Sequence, residues 1–259
     1  MKGCRPVLWS RSDATRSADG SLIADNRLVL LACLLLAGCA ALPQPEIAPV
    51  LAEVPHDFPL PYYHQKSATD VFEVTEAALT IKTYRAGWLK NLAHAHVMTT
   101  DTLTGFIHID PEDTVSRANL YFRPYDLILD DPEARAEAGP EFSSHRSPKD
   151  IAATRQRMLG PRQLNSNDYP FIQIFVQPGG SAKQAALEIG VRDYLARKTV
   201  PISWHKDGRQ LTVNSEFRIR HDELGLQPYS AFAGALAVAQ QIEVSLALVA
   251  IRADAMTTN

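Results

Sequence analysis

Cysteine is scarce in this sequence of 259 residues, which has three, at positions 4, 33 and 39. With no thiol after Cys39, a disulfide framework and thiolate chemistry are excluded from the rest of the chain, and its stability must come from an ordinary core. Long apolar runs are missing too. The longest near the N-terminus, Leu28 to Ala37, falls well short of the roughly 20 residues that a membrane-spanning helix needs. Charge of one sign is nowhere concentrated. Taking away the five basic and three acidic residues ahead of Cys39 leaves 21 basic and 26 acidic, a net of −5, which disfavours electrostatic capture of nucleic acid or of an anionic bilayer. No glycine-rich phosphate loop is present, and no serine sits in a Gly-x-Ser-x-Gly elbow.

What is there begins with that short apolar run. It follows Arg27 and ends in Leu36-Ala37-Gly38-Cys39. A positive flank, a short apolar centre and small residues before a cut, in that order, are the parts of a cleavable export signal. The cysteine directly after Leu-Ala-Gly resembles the lipobox of bacterial lipoproteins. The resemblance implies acyl chains (diacylglycerol, palmitate) on Cys39 and a chain facing the periplasm, and Ala40 in place of an acidic residue points to the outer membrane. Residues 1–38 are thus expected to be a leader with a polar extension, Met1 to Asn26, that carries Asp13, Asp19 and Asp25 and is foreign to such leaders.

Residues 39–70 read as anchor and tether. Pro43, Pro45, Pro49, Pro55, Pro59 and Pro61 remove backbone donors and favour extended, semi-rigid chain. From 71 to 254 the sequence is that of one all-β domain. Alternating apolar and polar residues predict strands over Leu79–Tyr84, His94–Thr99, Leu103–Asp110, Arg117–Arg123, Phe171–Gln177, Ala185–Val191, Lys198–His205, Leu211–Ile219 and Ile242–Ile251. Asp207-Gly208 reads as a hairpin turn. Ser147-Pro148-Lys149-Asp150 is a helix start before Ile151–Leu159, and a shorter helix is expected over Glu133–Ala138. This insertion lies where it can cover an opening. About eight antiparallel strands with a short helical insertion make a barrel or a sandwich.

Three segments carry a resemblance over roughly Val74 to Ile251. They are Thr104-Gly105-Phe106, the stretch from Leu164 through Asn167-Asp168-Tyr169-Pro170-Phe171-Ile172, and Phe217-Arg218-Ile219-Arg220-His221-Asp222-Glu223-Leu224-Gly225-Leu226 before a last apolar strand. Together they resemble the YceI-like family, which implies a lipocalin-like antiparallel barrel, periplasmic, that binds a polyisoprenoid in an elongated apolar interior. Tyr194 to Pro201 lacks the glycine of the family's turn, and the His94 region and the insertion from Asp130 to Arg157 mark a divergent branch. On this reading the ligand-binding residues are Leu120, Phe122, Val213, Phe217, Leu246 and Leu248. The alternative is a structural envelope lipoprotein whose barrel is filled by its own side chains.

Candidates for chemistry are few. His94 and His96 stand at i and i+2 and point the same way, yet two imidazoles without a third ligand do not make a metal site, and anchoring of a strand end by hydrogen bonds is the expected role. Asp130-Asp131 with Glu133 lacks the pattern of a calcium loop and reads as an acidic helix start. Ser143-Ser144-His145 has the letters of a nucleophile and base but not their setting. Trp204, Tyr121, Phe175, Phe122 and Phe217 are strand aromatics of the core or of a channel. No cofactor, metal or catalysis is expected.

Overall fold

The computed structural model describes residues 71–109 and 115–253. The leader, Cys39 and the tether lie outside the described residues.

Two long strands form the spine. β1 (Val71–Ala86) and β12 (Leu236–Arg252) pair antiparallel from Phe72↔Arg252 to Ala86↔Ala237. β1 is rich in valine, threonine, isoleucine and tyrosine, which pack well on a pleated surface. Its inward residues start on even positions, Phe72 and Val74, and continue on odd ones, Ala77, Leu79, Ile81 and Thr83. A register shift between Val74 and Glu76 is the cause. One extra residue on a strand exchanges the side chains that face in and out.

The other strands are β2 (His96–Thr100), β3 (Thr104–Ile109), β4 (Val115–Phe122), β5 (Ile128–Leu129), β6 (Ile172–Pro178), β7 (Gln184–Val191), β8 (Tyr194–Pro201), β9 (Ser203–Asp207), β10 (Gln210–Arg220) and β11 (Ser230–Ala231). The sheet order is β8-β7-β6-β4-β3-β1-β12-β10-β9, and every pairing is antiparallel. β2 and β3 are halves of one broken strand, for both pair with β1, at Leu79–Thr83 and at Val71–Glu73. β8 and β9 are likewise one strand bent at Pro201-Ile202. They are also the two ends of the sheet order, so the bend makes those ends consecutive along the chain and curls the sheet into a barrel-like wall. Across this seam the Ser215 hydroxyl donates to the Pro201 carbonyl at 2.8 Å. With each broken strand counted once, and the two-residue β5 and β11 left aside, the described path has eight strands; two of the nine segments expected from alternation, His94–Thr99 and Leu103–Asp110, are the halves β2 and β3 of one of them.

The connection between β5 and β6 holds the helices α1 (Pro132–Ala138) and α2 (Pro148–Leu159). Each has proline in its first turn and a side-chain cap: Asp131 accepts from the amides of Glu133 and Ala134, and Ser147 from that of Asp150. Such caps satisfy N–H groups that a helix start leaves orphaned. α1 packs on the outside of the wall, where Ala134 and Ala138 meet Ala95, Val97 and Phe142. α2 turns Ile151 and Met158 toward the main core.

That core fills only part of the barrel. Phe72, Val74, Ala118, Leu120, Leu187, Val200, Leu211, Val213, Leu248 and Ala250 are buried against one another in one half. In the other half the inward positions of the same strands border empty space. No helix among the described residues is long and apolar enough to cross a membrane.

Candidate functional site: the hollow half of the barrel

The empty space is a chamber of about 610 Å³, within the roughly 300–1,000 Å³ typical of small-molecule sites. Period-two alternation supplies its walls. They are Leu79 and Ile81 of β1, Met98 of β2, Phe122 of β4, Ile172 and Ile174 of β6, Ile189 and Val191 of β7, Phe217 and Ile219 of β10, and Ile242 and Val244 of β12. Every one of these side chains is apolar. The chamber can therefore take up a hydrocarbon without leaving a buried polar group unpaired.

Apart from Thr83 of β1 and His96 of β2, its polar groups come from the insertion and the connecting loops. α2 contributes Asp150, Ala153, Thr154 and Arg157, spaced so that they share one helical face. Arg155, off that stripe, pins the helix by donating to the carbonyls of Leu127 and Tyr125 and by lying 4.8 Å from the Tyr125 ring centre. Arg157 lies 5.1 Å from the ring centre of Tyr229, another lining residue. Arg146, His94, Gln163 and His221 also line the chamber. Asp150 and Arg157 are exposed, so this polar set forms a mouth open to solvent.

His94 and His96 both face the chamber, but their settings differ. Burial lowers the pKa of His94, with Arg146, His96 and Arg135 adding to the shift and Asp150 opposing it. The Nδ1 of His96 lies 2.6 Å from Oδ2 of the buried Asp130. Asp130 also accepts from the amide of Val97 at 3.1 Å and from the buried guanidinium of Arg135, which in turn donates to the Ala95 carbonyl at 3.0 Å. Burial works to raise the pKa of Asp130, and the bonds from His96 and Val97 with the nearby positive charges outweigh it, so the carboxyl sits below its ordinary value. The arrangement ties β2, the end of β5 and α1 together. Burial also lowers the pKa of His221, whose Nδ1 lies 3.0 Å from the Gln240 carbonyl.

No group of three or more His, Cys, Asp or Glu side chains among the described residues is placed to hold a metal ion. Ser143 gives its hydroxyl hydrogen to the Pro140 carbonyl, and Ser144 accepts from Arg135. Neither bond is that of a nucleophile to a base.

Of the six side chains expected to bind ligand, the structure puts Phe122 and Phe217 on the chamber wall. Leu120, Val213 and Leu248 are buried in the filled half, and Leu246 packs against it. Trp204 also packs on the core and donates its indole N–H to the Ala182 carbonyl, while Tyr121 meets Phe171 edge-on at 5.7 Å. Phe175 alternates with the inward Ile174 and Val176 and takes the other face. Sequence reasoning expected the insertion to be able to cover an opening without naming the α2 residues that line it, and it missed Leu92, Ala93 and Tyr229.

No family model matches the sequence, and no curated protein matches it. In architecture the chain is similar to three solved structures. A polyisoprenoid-binding domain from Saccharophagus degradans, implicated in plant cell wall breakdown, is 11% identical with a TM-score of 0.47, covering 70% of this chain and 98% of that one. BcnA of Burkholderia cenocepacia is 10% identical with a TM-score of 0.44, covering 67% and 95%. The YceI protein of Campylobacter jejuni is 6% identical with a TM-score of 0.44, covering 61% and 85%. At these values the likeness is one of architecture, and the chemistry of the chamber stands on its own residues.

Proposed function

We propose that this chain is a cell-envelope lipoprotein, held on a membrane through acylated Cys39 and facing the periplasm, whose barrel binds or carries a long apolar molecule of polyisoprenoid type without catalysis. The observation that carries this reading is the unfilled half of the barrel, a chamber of about 610 Å³ walled by apolar strand residues and polar only at its mouth. Burying hydrocarbon contributes about 25 cal/mol per Å² removed from water, so a long chain needs no directional contact along the wall. Arg146, Arg157, Asp150 and Tyr229 at the mouth suit a single polar end. The domain named in Saccharophagus degradans as polyisoprenoid-binding has the same kind of ligand that we propose here.

The alternative, a barrel filled by its own side chains, is favoured by the packing around Leu120, Val213 and Leu248, and it accounts for that half only. The test is Phe217→Asp. A carboxylate on the chamber wall faces the hydrocarbon with no partner. Retention of labelled geranylgeraniol by the protein on gel filtration should be lost while circular dichroism stays that of the parent. Undiminished retention in a folded variant overturns the reading.

A further inference from the structure

Two turns beside the chamber mouth hold large apolar side chains out in solvent. Trp88 is 81% exposed and Leu92 67%, on the turn after β1, while Phe232 is 74% exposed on the turn before β12. The turns are fastened to each other, since the Leu89 amide donates to the Ala235 carbonyl at 2.9 Å. Gly87 permits this approach: its φ is +88°, and a Cβ there would lie 2.3 Å from the Ala235 oxygen. Phe232 and Ala233 have φ of 51° and 54°, a left-handed conformation that costs a non-glycine residue energy and that only surrounding structure can enforce. Leu92 lines the chamber, as do Ala93, Tyr229 and Leu236 from the same two segments.

Stretches 87–93 and 229–238 contain no carboxylate, and their single charge is Lys90. We propose that this lip docks the domain onto a lipid bilayer, with Trp88, Leu92 and Phe232 entering the interfacial layer so that the chamber mouth meets the membrane. Size decides against a protein partner. Aromatic side chains bury about 150–250 Å² each, so two of them and a leucine fall short of the roughly 800 Å² per partner of a stable protein interface. Tryptophan beside lysine, with no acidic group, is the composition of a membrane-interface anchor. An apolar cargo would then pass between leaflet and chamber without crossing water. The role as a cargo port rests on the function proposed above; the docking itself does not.

The experiment uses the chain from Ala40 onward, without the apolar run Leu28–Ala37 or the acyl-bearing Cys39, and with Trp204→Phe so that Trp88 is the sole indole. It is mixed with phosphatidylcholine vesicles with or without brominated acyl chains. The expected result is co-sedimentation that persists at high salt, a blue-shifted Trp88 emission quenched by the brominated lipid, and at least a tenfold loss of partitioning when Leu92→Ser and Phe232→Ser are added. Unquenched Trp88, or partitioning unchanged in the serine variant, overturns the proposal. So does a dimer in solution that the serine variant dissolves, which would assign the lip to a second copy. Extractable lipid in a protein that ignores vesicles leaves the cargo reading standing and removes the lip. Vesicle docking by a protein that never holds lipid does the reverse.

Discussion

Two tryptophan substitutions on one strand separate a chamber from a core. Val244 and Leu248 both lie on β12 and both point inward, four residues apart. Val244 pairs with Phe217 and Ile81 and borders the chamber. Leu248 pairs with Ala77 and Val213, is 4% exposed and belongs to the core without bordering the chamber. Adding volume to a packed core costs about 1–3 kcal/mol. In a domain of this size 1 kcal/mol moves Tm by about 2–4 °C, so Leu248→Trp should lower Tm by about 2–12 °C. The indole of Val244→Trp has the chamber to enter. Its Tm on delipidated protein should change by less than about 2 °C, the effect of about 0.5 kcal/mol. The ligand should respond in the opposite order, with geranylgeraniol retention lost in Val244→Trp and kept in folded Leu248→Trp. Scanning calorimetry and gel filtration supply the two readings. Equal destabilisation by both substitutions, with retention intact in Val244→Trp, would refute the half-filled barrel.

Three further outcomes follow from particular side chains. Asp130→Ala strips the buried Arg135 of its carboxylate, and an uncompensated buried charge costs about 3–5 kcal/mol; a loss under about 1 kcal/mol in urea unfolding would contradict the assigned network. Stability should fall as pH falls, in two windows. The first opens as pH drops through the ordinary histidine range, because half-buried His94 and buried His221 have lowered pKa values and the unfolded chain takes up their protons first. The second opens below the ordinary carboxylate pKa, where protonation of unfolded Asp130 outruns that of the folded group. Asp130→Asn should shrink the second window, to which the lowered carboxyls of Asp150, Asp222, Glu223 and Glu243 also contribute, and leave the first; an unchanged profile would count against the pairing. Cys39→Ala should move the protein out of the carbonate-washed membrane fraction or leave the leader uncut, since stable anchoring needs its acyl chains; a processed variant still in membranes would remove the lipoprotein assignment.

Period-two alternation made most strands and their inward faces legible, along with both helices and the Asp207-Gly208 turn. It failed where the chain breaks its own period. The bulge near Thr75 changes the parity of β1, which concealed Val71–Ala78, and the alanines and paired glutamines of Leu236–Gln241 offer too little contrast to show the start of β12. The segment expected as one strand over Lys198–His205 is the junction of β8 and β9, whose bend at Pro201 changes partners from β7 to β10. Alternation reports the face of a sheet and not the height along the barrel. Phe122 and Phe217, which border the chamber, were therefore grouped with Leu120, Val213, Leu246 and Leu248, which do not. Asp131 was readable as a helix cap, whereas the bond from Asp130 to His96 spans 34 residues and exists only once β2 and β5 pair.

Uptake of a molecule from the surroundings is the central property ascribed to this barrel. Its most direct test is organic extraction, followed by mass spectrometry, of the full chain purified from native membranes, with Val244→Trp prepared alongside. A long-chain apolar species near one per protein is predicted in the parent and little in the variant. No extractable species in the parent, or equal amounts in both, would contradict it.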